Sequence, residues 1–133
     1  MPTSPRGSRS RPLVLLDANA LFLPLTSAID LAQEAARSIP GAEVKVPTSV
    51  LRELQRLVRR RVAHARAALD LAGKFPELPT DLDGDAAIET LARDLGAWVV
   101  TGDRELRHRL TAQGIGVLFP RAGHTLAPSR MPP

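Results

Sequence analysis

The run of four large aliphatic residues from Leu13 to Leu16 constrains the fold of this chain more than any other stretch. Such a run is typical of a strand buried on both faces, as in the parallel sheets of α/β proteins. It ends abruptly at Asp17, with Asn19 two positions later. Because ligand sites in open α/β sheets lie outside the carboxyl ends of the strands, Asp17 either caps the following turn or belongs to a site.

The same pattern recurs near the other end of the chain, where the apolar segment from Ala97 to Val100 is followed by Thr101 and Asp103. This segment has the character of a second central strand with a carboxylate just beyond its end. Right-handed crossovers between parallel strands would bring the ends at Leu16 and Thr101 side by side. Asp17 and Asp103 are therefore expected to converge.

Hydrophobic periodicity between and after these segments predicts further strands and helices in alternation. Residues 75–80 are expected to form a loop. The strands are expected at residues 43–46 and 115–119, and the helices over about 26–38, from Thr48 or Ser49 to about 73, over 86–95, and from Asp103 to Gly114. This alternation predicts an α/β fold with a parallel sheet and helices on both faces.

The composition favours one soluble domain. With 133 residues, 44% of them hydrophobic, the chain can bury one core but is too short for two ordinary domains. The absence of cysteine excludes disulfides, thiolate metal sites and cysteine nucleophiles, so any metal must be held by oxygen or imidazole. No apolar run approaches the roughly 18 residues of a membrane helix, and the start lacks a signal-peptide core. A cytoplasmic protein without a membrane partner is expected.

Arginine supplies nearly all of the positive charge, since the net charge is +4 and only Lys45 and Lys74 are lysines. The planar guanidinium group suits phosphate, which favours a nucleic-acid partner, although a GC-rich coding sequence would also enrich arginine. A dense basic cluster follows residue 50 and is either a solvated helix face or a surface for nucleic acid. Its members are Arg52, Arg56, Arg59, Arg60, Arg61 and Arg66.

Several other chemistries lack the residues they need. The chain has neither a Gly-x-Gly-x-x-Gly nor a Gly-x-x-x-x-Gly-Lys motif, so dinucleotide and ATP binding are not expected. The three acids within residues 81–85 have the spacing of a calcium loop, but its remaining ligand positions are missing. His64, His108 and His124 are expected at the surface, which leaves no histidine as a catalytic base.

Four carboxylates fall at element ends that this topology places on one edge of the sheet: Asp17, Glu53, Asp85 and Asp103. Carboxylates about 4 Å apart repel by about 4 kcal/mol at an effective dielectric constant of 20, and a divalent cation removes that cost. Oxygen-only sites rich in carboxylates favour Mg²⁺ or Mn²⁺. If each acid instead only caps a helix, the four side chains should be well separated.

The order of these residues resembles the PIN-domain ribonucleases from about Leu13 to Arg121. The segments that carry the resemblance are residues 15–21, 46–54, 84–88 and 100–106. The resemblance implies that Asp17, Glu53, Asp85 and Asp103 are the catalytic metal ligands, with the small polar residue of the fourth motif at Thr101. Asn19 and Thr101 are expected to orient the carboxylates.

The same resemblance implies a Rossmann-like, three-layer α/β/α sandwich. Its five-stranded parallel sheet is expected in the order 3-2-1-4-5, with Mg²⁺ or Mn²⁺ as cofactor and single-stranded or structured RNA as substrate. Within the family, the chain is most similar to archaeal PIN proteins of the pre-ribosomal RNA processing type, with toxin ribonucleases as near neighbours. One departure is Gly84, where these proteins commonly have an acid. Either Asp83 or Asp85 is therefore the third ligand.

A divalent-metal-dependent endoribonuclease, acting in ribosomal RNA maturation or RNA decay, is the function these features favour. The arginines expected to guide the RNA backbone are Arg56, Arg59, Arg60 and Arg104. Two alternatives stay open. One is a toxin ribonuclease that pairs with an antitoxin, and the other is a non-catalytic RNA-binding assembly module that keeps the fold.

The PIN domain is expected to span residues 12–121. A disordered basic arm at residues 1–11 and a proline-rich tail at residues 122–133 are expected on either side of it. Apolar residues from Leu21 to Leu25 suggest a surface for a homodimer.

Overall fold

The structure is a computed structural model and describes residues 11–132. A six-stranded, mostly parallel sheet forms the centre of the protein. The strands are β1 Leu13–Leu16, β2 Glu43–Pro47, β3 Glu77–Leu78, β4 Trp98–Val100, β5 Val117–Arg121 and β6 Thr125–Pro128. Their order is β3-β2-β1-β4-β5-β6, and only β6 runs antiparallel, against β5. The predicted basic arm at residues 1–11 lies outside the described residues except for Arg11.

Within residues 11–132, six α-helices and one 3₁₀ turn connect the strands. They are the 3₁₀ turn Ala20–Phe22 and the helices α1 Leu23–Thr26, α2 Leu31–Ser38, α3 Thr48–Arg59, α4 Ala65–Ala72, α5 Gly84–Leu95 and α6 Arg104–Ala112. The predicted α/β class is confirmed, and the sheet is mostly parallel. None of the helices in the described part of the chain is long and apolar enough to cross a membrane.

The expectation of a five-stranded, fully parallel sheet in the order 3-2-1-4-5 is wrong because a sixth, antiparallel strand extends one edge. Both edge strands lack a sequence signal. In the expected loop at 75–80, β3 contributes two residues that pair with Val46 and Pro47. In the expected proline-rich tail, β6 pairs with β5 from Thr125 to Pro128. Proline lacks one backbone donor, which an edge strand tolerates because that side of the strand faces no partner.

Two predicted helices are interrupted. The segment 26–38 contains only the end of α1 and then α2, whose start is capped by Asp30 accepting from the backbone N–H of Gln33 at 3.0 Å. The long helix expected to reach residue 73 breaks between α3 and α4, where Arg61 and His64 have positive φ angles of 60° and 67°. A left-handed residue cannot continue a right-handed helix, so the chain turns there.

The core is built on β1 and β4. Val14, Leu15 and Leu16 have no exposed surface, and β4 is buried along its whole length. The prediction of a strand buried on both faces is confirmed. Leu21 is also fully buried, and its neighbours as far as Leu25 are half-buried against the core. The homodimer suggested for this segment stays a prediction.

Candidate active site

A cavity of about 220 Å³ lies at the carboxyl edge of the sheet and collects all four predicted acids. It is lined by Asp17, Ala18, Asn19, Ser49, Val50, Glu53, Gly84, Asp85, Ile88 and Asp103. Residues far apart in sequence thus meet at one place. The alternative predicted four well-separated acids, and it is wrong because all four line one cavity. Asp103 both caps a helix and lines the cavity.

Asp17 is the buried acid of this cavity. The parallel pairing of Leu16 with Val100 sets the end of β1 beside the end of β4, and the Asp17 N–H donates to the Val100 carbonyl at 3.3 Å. The Asp17 carboxylate accepts from the N–H of Ala20 at 2.7 Å, and the residue is only 7% exposed. The expected convergence of Asp17 with Asp103 follows from this register, since both acids line the same cavity.

Burial, together with the negative charges of Asp103 and Asp85, raises the pKa of Asp17 to about 7. Hydrogen bonds from the Thr101 hydroxyl and from the Ala20 N–H act in the opposite direction. Desolvation is the largest of these causes because a carboxylate removed from water loses its hydration. A cation placed beside Asp17 would favour its ionised form.

Asp103 caps a helix and also forms a wall of the cavity. One carboxylate oxygen accepts from the N–H groups of Glu105 at 2.9 Å and Leu106 at 3.1 Å, which satisfies the first turn of α6. The Thr101 hydroxyl oxygen accepts from the N–H of Asp103 at 3.0 Å. These bonds fix the loop that carries Asp103 into the cavity.

Asn19 joins the two central loops. Its side-chain oxygen accepts from the N–H of Gly102 at 2.8 Å, which ties the segment after β1 to the segment after β4. A Cβ atom at position 102 would lie 2.6 Å from that oxygen, so a side chain there would displace Asn19 from this hydrogen bond. Asn19 and Thr101 thus hold the loops of Asp17 and Asp103. Their role in orienting the carboxylates stays a prediction.

The other two acids are each paired with an arginine. The Glu53 carboxylate accepts from Arg56, one helical turn further along α3. The Asp85 carboxylate accepts from the Arg109 guanidinium at 2.7 Å. Both acidic side chains are substantially exposed, at 44% and 61%. Surface pairs of this kind are weak, so either carboxylate exchanges partners at little cost.

Asp83 and Asp85, the two candidates for the third acid of the site, occupy different positions relative to the cavity. Asp85 lines the cavity, whereas Asp83 is not among its lining residues and accepts from Arg52 at 2.9 Å. Asp83 precedes the first turn of α5 and Asp85 lies within that turn. The structure therefore places Asp85 with the other acids.

The oxygen atoms that line the cavity suit a hard divalent cation, although the carboxylates lie too far apart to bind one ion together. Only oxygen donors surround the cavity, the chemistry that Mg²⁺ and Mn²⁺ prefer. Across residues 11–132, no three Asp, Glu or His side chains are close enough to hold a metal ion. Like charges repel, and the arginine partners of Glu53 and Asp85 compete for the same carboxylates. Within the same residues, Asp17 and Asp103 form no ion pair.

Replacing Arg109 is expected to tighten metal binding. Arg109→Gln removes the cation that holds Asp85, and the carboxylate becomes available to a divalent ion. The dissociation constant for Mn²⁺, measured by isothermal titration calorimetry at low ionic strength, should fall several-fold. Arg93→Gln is the matched control because Arg93 contacts Asp94 and Gln113, away from the cavity. Equal affinities for the two variants would contradict this effect.

The arginines predicted to guide RNA occupy three different places. Arg56 sits beside Glu53 at the rim of the cavity. Arg59 and Arg60 are exposed at the end of α3, roughly 9–10 Å further along the helix axis than Glu53. Arg104 lines a second groove, described below.

Sequence reasoning missed Ser49 and Arg109 as residues of the site. Ser49 is 4% exposed and lines the cavity one helical turn before Glu53, a spacing that does place two side chains on the same face. That spacing was a usable signal. Arg109 reaches Asp85 from another helix, 24 positions away, and nothing in the sequence indicates that contact.

Together, the fold and the cavity define an α/β protein with an acidic centre suited to a divalent cation. The chain belongs to the family described as PIN like domain, whose family model matches residues 14–122. The resemblance inferred from the sequence motifs is thereby confirmed.

Individual proteins show the same likeness. Ribonuclease VapC9 of Archaeoglobus fulgidus is 29% identical over 108 residues, which cover 77% of this chain and 78% of that protein. The structure of the PIN domain endonuclease Utp24 matches with a TM-score of 0.75 at 24% identity, over 89% of this chain and 91% of that one. A domain of a functionally unknown protein from Methanocaldococcus jannaschii matches at 0.62 with 15% identity, over 84% and 92%. The two solved structures share the fold of this chain.

Proposed function

We propose that this protein is a divalent-metal-dependent endoribonuclease that hydrolyses RNA phosphodiester bonds at the acidic cavity. The observation that carries the proposal is the convergence of Asp17, Glu53, Asp85 and Asp103 on one cavity. The likeness to a protein named as a ribonuclease supports RNA as the substrate.

Asp17 and Asp103 are the central ligands in this proposal because neither is engaged by an arginine in the described part of the chain. Glu53 and Asp85 complete the set once they leave Arg56 and Arg109. When bound, Mg²⁺ or Mn²⁺ supplies Lewis-acid chemistry that stabilises charge on phosphate oxygens and makes water a better nucleophile.

The remaining polar residues fix the loops that carry the acids and attract RNA phosphates. The hydrogen bond from Gly102 to Asn19 and the hydrogen bond from Asp103 to Thr101 fix the spacing of the two central loops, which preorganises the carboxylates. Arg56 and Arg109, released from their carboxylates, place positive charge at the rim for RNA phosphates. Arg59 and Arg60 extend this basic surface along α3.

The test compares two neighbouring acids of one loop, with structured and unstructured RNA, with and without Mn²⁺. Asp85→Asn removes a carboxylate from the cavity and is expected to lower cleavage at least 100-fold. Asp83→Asn removes an equally exposed carboxylate that pairs with Arg52 outside the cavity, and its rate should stay within about twofold of wild type. Equal rates for both variants, or cleavage by wild type in EDTA, would overturn the proposal.

The two alternatives from the sequence give different results in the same experiments. A non-catalytic RNA-binding module would bind RNA without cleaving it and would not bind Mn²⁺ at millimolar concentration. A toxin ribonuclease would cleave RNA and would stop growth when expressed without its antitoxin. The proposal of a housekeeping role in ribosomal RNA maturation or RNA decay expects cleavage without growth arrest.

A further inference from the structure

A second groove, of about 360 Å³, adjoins the acidic cavity across Asp103, a residue that lines both. Its walls come from the loop after β4, the first turns of α6 and the end of β5. The side chains that matter here are Arg104, Arg107 and Phe119. The groove therefore presents cationic and aromatic groups immediately beside the four acids.

Phe119 is stacked with arginine. The guanidinium carbon of Arg107 lies 4.3 Å from the centre of the Phe119 ring, and that of Arg121 lies 5.8 Å from it. Phe119 and Arg107 are both half-buried, so the stack is fixed in place yet reachable from the groove. Trp98 and Arg130 form a comparable pair at 4.8 Å, but Trp98 is 3% exposed and offers no open surface.

We propose that this groove binds one unpaired base of the nucleic-acid strand whose phosphate lies in the acidic cavity, stacked against the Arg107 and Phe119 pair. The inference rests on the proposed function and specifies its substrate as single-stranded at this position. Aromatic rings and guanidinium planes are the surfaces on which proteins stack splayed bases. A base inside a duplex is already stacked and paired, so it does not reach the groove.

The charges of the groove suit a polynucleotide. Arg104 is exposed at the first position of α6, follows Asp103 directly in the chain and lines the groove together with Arg107 and Phe119, so its guanidinium is available to a neighbouring phosphate of the strand. Stacking uses the face of a base and not its edges, so the groove tolerates any base. The site accordingly selects strand state rather than sequence.

The experiment measures binding in EDTA, where no metal-dependent cleavage occurs, by fluorescence anisotropy of a labelled RNA oligonucleotide. Phe119→Leu keeps an apolar side chain but removes the ring, and it is expected to weaken single-strand binding roughly tenfold. Phe119→Trp keeps an aromatic ring and should bind within about twofold of wild type, with quenching of the introduced indole on RNA addition. Phe75→Leu, at a half-buried phenylalanine of another surface, is the matched control and should bind as wild type.

Two further ligands test whether binding requires a single strand and a polynucleotide. The same RNA annealed to its complement should bind wild type and Phe119→Leu equally, and adenosine monophosphate should bind far more weakly than the oligonucleotide. Equal single-strand affinity of Phe119→Leu and wild type would overturn the inference. So would an equal loss on the duplex, or monophosphate binding as tight as that of the oligonucleotide.

The two proposals fail separately. Cleavage by wild type without any dependence of binding on Phe119 would remove the base-stacking groove and leave the endoribonuclease. Binding that depends on Phe119, without cleavage in Mn²⁺, would do the reverse. Circular dichroism of each variant establishes that its fold is intact, and the Phe119→Trp variant tests the stack even if Phe119→Leu does not fold.

Discussion

Asp17→Asn is expected to abolish RNA cleavage and at the same time to raise the melting temperature of the metal-free protein. The variant removes the central carboxylate, so cleavage should fall by at least 1,000-fold, to the background of the assay. The amide still accepts from the Ala20 N–H, and its NH₂ group can donate to the Thr101 hydroxyl. What disappears is the cost of ionising a buried acid beside Asp103 and Asp85.

The gain in stability depends on pH. The pKa of Asp17 rises from 3.8 to about 7 on folding, so between these values the unfolded chain releases a proton that the folded protein keeps. The free energy of unfolding of wild type therefore falls as pH rises from about 4 to about 7, by up to roughly 4 kcal/mol, and then levels off. Asp17→Asn lacks this fall.

Differential scanning calorimetry in EDTA checks both statements. The variant should melt several degrees above wild type at pH 8, and the two should melt together near pH 4. Asp30→Asn, which retains a helix cap on the surface, is the control and should show no such crossing. A variant that melts below wild type at pH 8 would show that Asp17 stabilises the metal-free fold, contrary to this account.

Gly116→Ala is expected to destabilise the fold strongly, because the added methyl group would clash with a buried indole ring. A Cβ atom at position 116 would lie 2.5–2.7 Å from three carbon atoms of the Trp98 indole. Both residues are buried and Trp98 belongs to β4, so the ring cannot move without shifting that strand. Overpacking of this kind costs roughly 2–3 kcal/mol, equivalent to a fall of about 10 °C in melting temperature.

Gly73→Ala is the matched control. Gly73 ends α4 with φ of −65° and ψ of −11°, a conformation that alanine adopts freely, and the nearest atom to an added Cβ is a helix carbonyl oxygen at 3.3 Å. Its free energy of unfolding should stay within about 0.5 kcal/mol of wild type. Urea denaturation of both variants measures the difference. Similar midpoints for the two variants would rule out the contact with Trp98 as a stability determinant.

The central strands and their acids could be predicted from the sequence because their signals are local. An uninterrupted aliphatic run specifies a strand buried on both faces, and the parallel topology then places Asp17 and Asp103 on one edge. The outer strands carry no such signal. Two residues of β3 are too few for a period, and Pro128 argues against a strand at β6 unless its position at the edge of the sheet is known.

The details of the site escaped prediction for a related reason. The ion pair of Asp85 with Arg109 and the stack of Arg107 on Phe119 join elements through the tertiary packing of α5, α6 and β5. No spacing along the chain encodes them. The fourfold acidic pattern was readable because each acid stands at the end or start of an element, and the elements themselves were readable.

The arginine partners of Glu53 and Asp85 have one further consequence, which concerns how RNA and metal affect each other's binding. A phosphate that engages Arg56 or Arg109 frees a carboxylate for the cation, and a cation that engages the carboxylate frees the arginine for a phosphate. Thermodynamic linkage then requires that RNA and metal each increase the affinity for the other by the same factor. In the unliganded protein Arg56 and Arg109 act as counterions of Glu53 and Asp85, and the four carboxylates become available together only when metal and RNA bind.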